Sequence, residues 1–176
     1  ERGRPAKVDT LTERLEVLAY HTGLVGKWHL GLNPGMTPID QGFDEFFGFL
    51  GAAHGYLPGE DEVRMIRDEK KLEEQETEYL TDALAREAEG FLGRNKDLPF
   101  VLTVCFSAPH TPLEATPKYL ERFPGLSGDE RTYAAMISAL DDAVGRIRAA
   151  LERDGLMEKT LVFFASDNGA PMEESP

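Results

Sequence analysis

The sequence predicts an α/β fold, a largely parallel mixed sheet flanked by helices. Three observations carry that expectation. Segments with helical apolar periodicity alternate with short apolar runs of strand length. The helical segments stand between the strands, as in βαβ units with a parallel sheet. Three of the apolar runs lead into chemically capable side chains: Lys27 and His29, then His110, then Asp167 and Asn168. Open α/β sheets bind ligands outside the carboxyl ends of their strands, so groups far apart in sequence can converge there.

The elements follow in order. Thr10 to Tyr20 has the spacing of a helix: Thr10 and Glu13 form a capping-box pair, Leu11, Leu15 and Leu18 mark one face, and Gly23 stands at its expected end. His21 is then expected as a cation at the helix C-terminus. The run Thr22 to Val25 predicts a buried strand leading into Lys27. Residues 31–60, rich in Gly, Pro and aromatics, are expected to form a long loop, and long ordered loops are often functional. Residues 60–78 are highly charged. The alternation Val63-Arg64-Met65-Ile66-Arg67 predicts a small surface hairpin or loop insertion turning near Asp68-Glu69, with the charge run a solvated face.

Thr77 is positioned to cap the next helix, whose buried side would carry Leu80, Leu84, Ala88 and Phe91. Leu98 to Ser107 is continuously apolar, the mark of a strand covered on both faces. A Pro-rich loop spans 108–128. Asp129 to Arg153 predicts the longest helix, with a core stripe of Tyr133, Ile137, Leu140, Val144, Ile147 and Leu151, ended by Gly155. Thr160 to Ala165 predicts another buried strand. Asp141 and Asp142 are adjacent on that helix and diverge by roughly 100°, which excludes a paired-carboxylate site. The whole is expected as a single partial domain, 1–176.

Composition bounds the function. Hydrophobic residues make up 41% of the 176, enough to bury a core, and the net charge is −13. That acidity argues against nucleic acid or an anionic membrane as partner. An anionic substrate would need local positive charge, from Lys27 or a bound cation. The single cysteine, Cys105, excludes an internal disulfide framework and sits inside an apolar run as a small hydrophobe. No apolar run approaches the roughly 20 residues of a transmembrane helix.

The chemistry centres on Gly26-Lys27-Trp28-His29-Leu30-Gly31. Side chains alternate faces along an extended backbone, so Lys27 and His29, two apart, are expected to project to one side and Trp28 to the other. A cation and an imidazole delivered together suit an anionic substrate. His110, between Pro109 and Pro112, is a candidate general acid. His54 and Tyr56 are candidates to line a substrate pocket. Asp167 and Asn168 are either a strand-ending Asx turn or half of a site for a hard cation such as calcium or magnesium.

The hexapeptide resembles the second signature of the type I sulfatases. Gln41-Gly42-Phe43-Asp44-Glu45-Phe46-Phe47-Gly48 resembles that family's next segment. Ser107-Ala108-Pro109-His110-Thr111-Pro112 resembles its distal histidine loop, and Ser166-Asp167-Asn168-Gly169 its metal-binding turn. The order matches, over nearly all of the chain. The resemblance implies an alkaline-phosphatase-like fold and sulfate-ester hydrolysis, with sulfated carbohydrate the expected substrate class. It implies that Lys27 and His110 contact the sulfate, that His110 protonates the leaving oxygen, and that His29 hydrogen-bonds the nucleophile. It implies calcium, with magnesium possible, at Asp167 and Asn168, and a periplasmic or secreted location. The family's nucleophile is a formylglycine made from a Cys- or Ser-x-Pro-x-Arg motif, which does not occur here; nor do an upstream acidic pair and a downstream lysine. The expectation is therefore an internal piece of a longer enzyme, inactive alone and associating through exposed sheet edges. Two alternatives are a phosphodiesterase or phosphonate hydrolase of the same superfamily, and a non-catalytic relative that binds sulfated glycans.

Overall fold

The computed structural model describes residues 9–59, 65–72 and 78–169. Its centre is β1 (His21–Lys27), hydrogen-bonded in parallel to β2 (Glu45–Phe49) on one side and to β5 (Phe100–Cys105) on the other. An antiparallel hairpin, β3 (Ile66–Arg67) and β4 (Lys70–Lys71), extends the sheet beyond β2, giving the order β4-β3-β2-β1-β5. In this register Val25 stands beside Phe47 and Val104. These residues share one face with Phe49 and Leu102, and pack against α2 (Leu80–Asn95) and α4 (Gly128–Arg153). Leu80, Leu84 and Ala88 of α2, and Ala135, Met136 and Ala139 of α4, complete that core.

The hairpin turns at Asp68-Glu69 as expected. Asp68 fixes it to β2: its carboxylate accepts the N–H of Phe46 at 3.0 Å, and its own N–H donates to the Phe46 carbonyl at 2.7 Å. Val63, Arg64, the Thr77 cap and most of the charge run lie outside the described residues. Helix α2 buries Leu80, Leu84, Ala88 and Phe91 as predicted.

Five expectations need correction. The first helix, α1 (Leu11–Glu16), forms its capping box but stops at Val17. Leu11 and Leu18 are 69% and 65% exposed, so no packing sustains a further turn. Ala19 then reverses the chain at φ 60°. Gly23 is inside β1, and His21 is the first residue of that strand, not a helix-end cation. The 31–60 loop contains β2; its run of five residues was too short to separate from an aromatic loop. Strand β5 is half-buried throughout, because β1 pairs only one of its edges among the described residues.

In α4 the buried face is Ala135, Met136, Ala139, Ala143, Ala150 and Leu151, whereas Ile137 is 43% exposed. Helix α2 offers Ala83, Leu84 and Ala88 to the same core. Small residues on both helices let their backbones approach; of the expected stripe Leu151 is buried, Leu140 and Ile147 pack half-buried against the core, and Ile137 is the member turned outward. Finally, 160–165 forms no strand. Leu161, Val162, Phe163 and Phe164 are 57–85% exposed. Between α2 and β5, and between β5 and α4, the chain closes with short turns and with a four-residue helix, α3 (Pro117–Leu120).

Candidate functional site at the carboxyl edge of the sheet

Because β1, β2 and β5 are parallel, their carboxyl ends lie at one edge, and the loops leaving them meet there. Lys27 is the last residue of β1, opposite Phe49 and half-buried. By alternation with Val25 its side chain takes the face that α2 and α4 cover. The backbone continues to track β2 for two residues, with Trp28 N–H on the Phe49 carbonyl at 3.0 Å and His29 N–H on that of Leu50 at 3.2 Å. His29 itself is left-handed, φ 52°, and exposed. The alternation argument that put Lys27 and His29 on one side therefore fails, although both stand at the same edge. Trp28 is a peg: its indole N–H donates to the Met36 carbonyl at 2.8 Å, and its ring meets Phe43 edge-on.

The loop after β2 carries His54 and Tyr56. His54 donates from Nδ1 to the Gly55 carbonyl at 2.6 Å and packs its ring on Phe49. Tyr56 is only 1% exposed, so it cannot line a pocket as expected. Its N–H donates to Glu114 Oε2 at 2.7 Å and its hydroxyl to the His110 carbonyl at 2.9 Å. Glu114 went unremarked in the sequence; its place four residues after His110, in the same stiff loop, is the signal that could have found it.

His110 is exposed at the end of the loop leaving β5, between cis Ala108–Pro109 and Thr111–Pro112 bonds. Its backbone N–H donates to the Ser107 carbonyl at 2.8 Å, and its Nδ1 donates to the Thr111 carbonyl at 2.7 Å. That fixes the tautomer and leaves Nε2 as the nitrogen with a lone pair. Ser107 Oγ is buried and has no hydrogen-bond partner among the described residues.

Asp167 and Asn168 are exposed. Asp167 Oδ1 accepts the N–H of its neighbour Asn168 at 2.9 Å, and Ser166 Oγ donates to the Asn168 carbonyl at 2.6 Å; neither is the bond to the N–H two residues on that defines the expected Asx turn. These local bonds do not exclude ligation, because a carboxylate has about four lone-pair sites. Burial raises the Cys105 thiol above its ordinary pKa, and the charge of Asp167 raises it further. The Asp167 carboxylate is therefore within Coulombic reach of the carboxyl end of β5. It also follows that Cys105 is a poor thiolate nucleophile. The donors fit a hard cation in kind, but no cluster of three or more His, Cys, Asp or Glu able to hold a metal occurs among the described residues.

A cleft of about 460 Å³ lies elsewhere, over β1, β2, β3 and α2, and none of these candidates lines it. Its two arginines are neutralised, Arg67 by Glu87 at 2.9 Å and Arg94 by Glu45 at 2.6 Å. Asp142, similarly, is a forked partner of Arg122 at 2.9 and 2.7 Å, while Asp141 faces water.

Comparison with known proteins follows the same geometry. A family model described as Sulfatase matches residues 2–176. Arylsulfatase J of Mus musculus is 32% identical, over 91% of this chain and 29% of that protein. N-acetylgalactosamine-6-sulfatase of Homo sapiens is 32% identical, over 99% of this chain and 35% of its own length. The crystal structure of Ps i-CgsB in complex with k-i-k-neocarrahexaose superposes with a TM-score of 0.81 at 35% identity, covering 88% of this chain and 38% of that one. The chain thus spans about a third of the length of these relatives. No helix among the described residues is long and apolar enough to cross a membrane. The match runs through β1, β2, β5 and the turn at Asp167 alike, over almost every residue, and on it the chain belongs to the sulfatase family, with the α/β fold of the alkaline-phosphatase-like enzymes.

Proposed function

We propose that this chain forms the lysine–histidine part of an enzyme that hydrolyses sulfate esters of carbohydrates. The observation that supports the reading most is the parallel arrangement of β1, β2 and β5, which gives Lys27, His29 and the His110 loop a common edge; the Asp167 charge is felt at Cys105, the last residue of β5. The sulfated-sugar class is supported by a relative's name, N-acetylgalactosamine-6-sulfatase, and by a structural neighbour solved in complex with its substrate D-glucosamine-2-N,6-O-disulfate.

In this reading the Lys27 ammonium lies against the sulfate oxygens and stabilises the charge that builds on them as the ester bond breaks. His110, protonated at Nε2 and held through Nδ1, donates its proton to the departing alcohol oxygen. His29 hydrogen-bonds the nucleophile's hydroxyl and takes part in its regeneration. Asp167 and Asn168 would hold calcium, or magnesium, together with oxygens from outside these residues; the orphaned Ser107 hydroxyl leaves a further polar group near the end of β5. Such a cation would supply positive charge to the sulfate and would lower the nucleophile's pKa. The nucleophile, a formylglycine, comes from a segment outside this chain.

The test is steady-state hydrolysis of an aryl sulfate and a sulfated sugar by the full-length enzyme. Lys27→Ala and His110→Ala are each expected to lower kcat about 10²- to 10⁴-fold. The 176-residue chain alone is expected to show no turnover. Wild-type kcat in His110→Ala would remove the proton-donor role. Hydrolysis of a phosphodiester in preference to both sulfates would move the enzyme to the neighbouring chemistry.

A further inference from the structure

We infer that Tyr56 is the positioning residue of His110, and that Glu114 anchors Tyr56 for that task. The inference rests on the reading of His110 as proton donor. Tyr56 is buried to 1% at one end of a row of tyrosines, its ring 6.0 Å from Tyr79, which is itself 5.8 Å from Tyr119. Its main chain is tied at both ends: the N–H donates to Glu114 Oε2 at 2.7 Å, and the carbonyl accepts the Leu80 N–H, at the start of α2, at 2.8 Å. A residue fixed in that way has little freedom, and its hydroxyl donates to the backbone carbonyl of His110 at 2.9 Å. Tyr79 closes the loop from the other side, its hydroxyl donating to the Glu114 carbonyl at 2.8 Å.

The histidine loop is therefore buckled to the core at its two ends, His110 and Glu114, by tyrosines from outside it. What this does for chemistry follows from the histidine's own bonds. The imidazole is oriented by Nδ1–H on the Thr111 carbonyl, one residue along the same backbone. Whatever holds the His110–Thr111 peptide holds the direction of Nε2. A general acid must be within about 0.5 Å of its productive position for full effect. Burial raises the Tyr56 hydroxyl above its ordinary pKa, so it remains a donor throughout the range in which a histidine titrates. Nothing in this arrangement brings the phenol to substrate; it acts through the histidine.

The experiment is a comparison of Tyr56→Phe, Glu114→Ala and Tyr119→Phe in the full-length enzyme. Tyr119 is the control: a buried tyrosine of the same row, whose hydroxyl donates to Asp82 at 2.7 Å, accepts from Lys118 at 2.7 Å and makes no bond to His110–Glu114. Tyr56→Phe is expected to lower kcat about three- to ten-fold, the worth of one hydrogen bond, with KM little changed and the His110 limb of the kcat–pH profile displaced. Glu114→Ala moves the same readouts in the same direction without touching the hydroxyl, which covers the case where Tyr56→Phe fails to fold. Tyr119→Phe costs melting temperature but leaves kcat and the pH limb at wild type. Nitrogen NMR of the His110 ring reads the orientation without turnover: the single Nδ1–H tautomer is expected to give way to a mixture in Tyr56→Phe. If Tyr56→Phe behaves as Tyr119→Phe does, with an unaltered ring spectrum, the positioning role is overturned while the His110→Ala result stands. If His110→Ala is fully active, the proton-donor reading fails, and the ring spectrum alone then reports on the buckle.

Discussion

Alanine at Gly48 would put a methyl carbon 1.9 Å from the Gly26 carbonyl oxygen and 2.7 Å from its carbon. Both are main-chain atoms of β1, so no side chain can swing aside. Cβ atoms essentially never come closer than 3.0 Å to another heavy atom, so β1 and β2 must part by about 1 Å at this point. The next interstrand bonds, Trp28 to Phe49 at 3.0 Å and His29 to Leu50 at 3.2 Å, would open to about 4 Å, which is no longer a hydrogen bond. Losing the half-buried Trp28 bond at about 1–3 kcal/mol and the exposed His29 bond at about 0.5–1.5 kcal/mol costs about 1.5–4.5 kcal/mol. For a chain of this size each kcal/mol is worth about 2–4 °C, so Gly48→Ala should lower the melting temperature by about 3–18 °C in a circular-dichroism scan. Gly93→Ala is the paired control: a Cβ there meets nothing within 4 Å, the site is exposed in α2, and helix propensity alone predicts a gain of about 0.5–1 kcal/mol. A Gly48→Ala melt within about 2 °C of the parent would refute the close approach of the strands. The same contact sets where Lys27 emerges, so loss of activity should accompany loss of stability.

Other perturbations follow from the same geometry. Phe91→Ala, emptying a site between the rings of His21 and Phe100, should cost about 3–5 kcal/mol in urea unfolding. Burial alone would raise the Glu45 carboxyl, but hydrogen bonds from Asn95, Arg94 and His21 outweigh it and hold its pKa below 4.5. Its contribution is therefore present above that value and is lost as pH falls through the depressed folded pKa. Urea midpoints measured from pH 7 down to about pH 3 should fall less steeply in Glu45→Gln; parallel curves would contradict this. Trp28→Phe, lacking the indole donor to Met36, should loosen the 29–41 loop and cost about 1 kcal/mol, with proteolytic cleavage of that loop accelerated. The isolated chain should elute above monomer size on gel filtration through its exposed 161–164 segment, and Phe163→Asp should shift it toward monomer.

Much of the architecture was legible because it is local. The Thr10–Glu13 capping box, the α2 stripe, the Asp68-Glu69 turn and the Gly155 stop are each written within a few residues. What was not legible depends on partners. The Thr160–Ala165 run has the composition of a strand but, among the described residues, no neighbour to pair with. The α4 stripe was chosen by residue size, whereas alanines on α2 decided which face turns inward. Strand β2 needed β1 beside it to be distinguished from a loop. At the site, the ends of β1 and β5 share one edge as the topology implied, but the run before Asp167 forms no strand and the left-handed His29 broke the alternation. Tyr56 had the composition of a pocket residue and is a buried strut, a distinction that only the Glu114 and His110 contacts make.

The two margins of the sheet are unequal. On one side it stops at β4, two residues long and made of exposed Lys70 and Lys71, a combination that discourages further pairing. On the other, β5 offers six residues whose outer edge has no partner among the described residues. Such a sheet can grow in one direction only. If two copies meet, the open margin of one has nothing to accept it except the same margin of the other. The contact is then isologous and used up by its first partner, so association should end at a closed twofold pair and not run on into a filament.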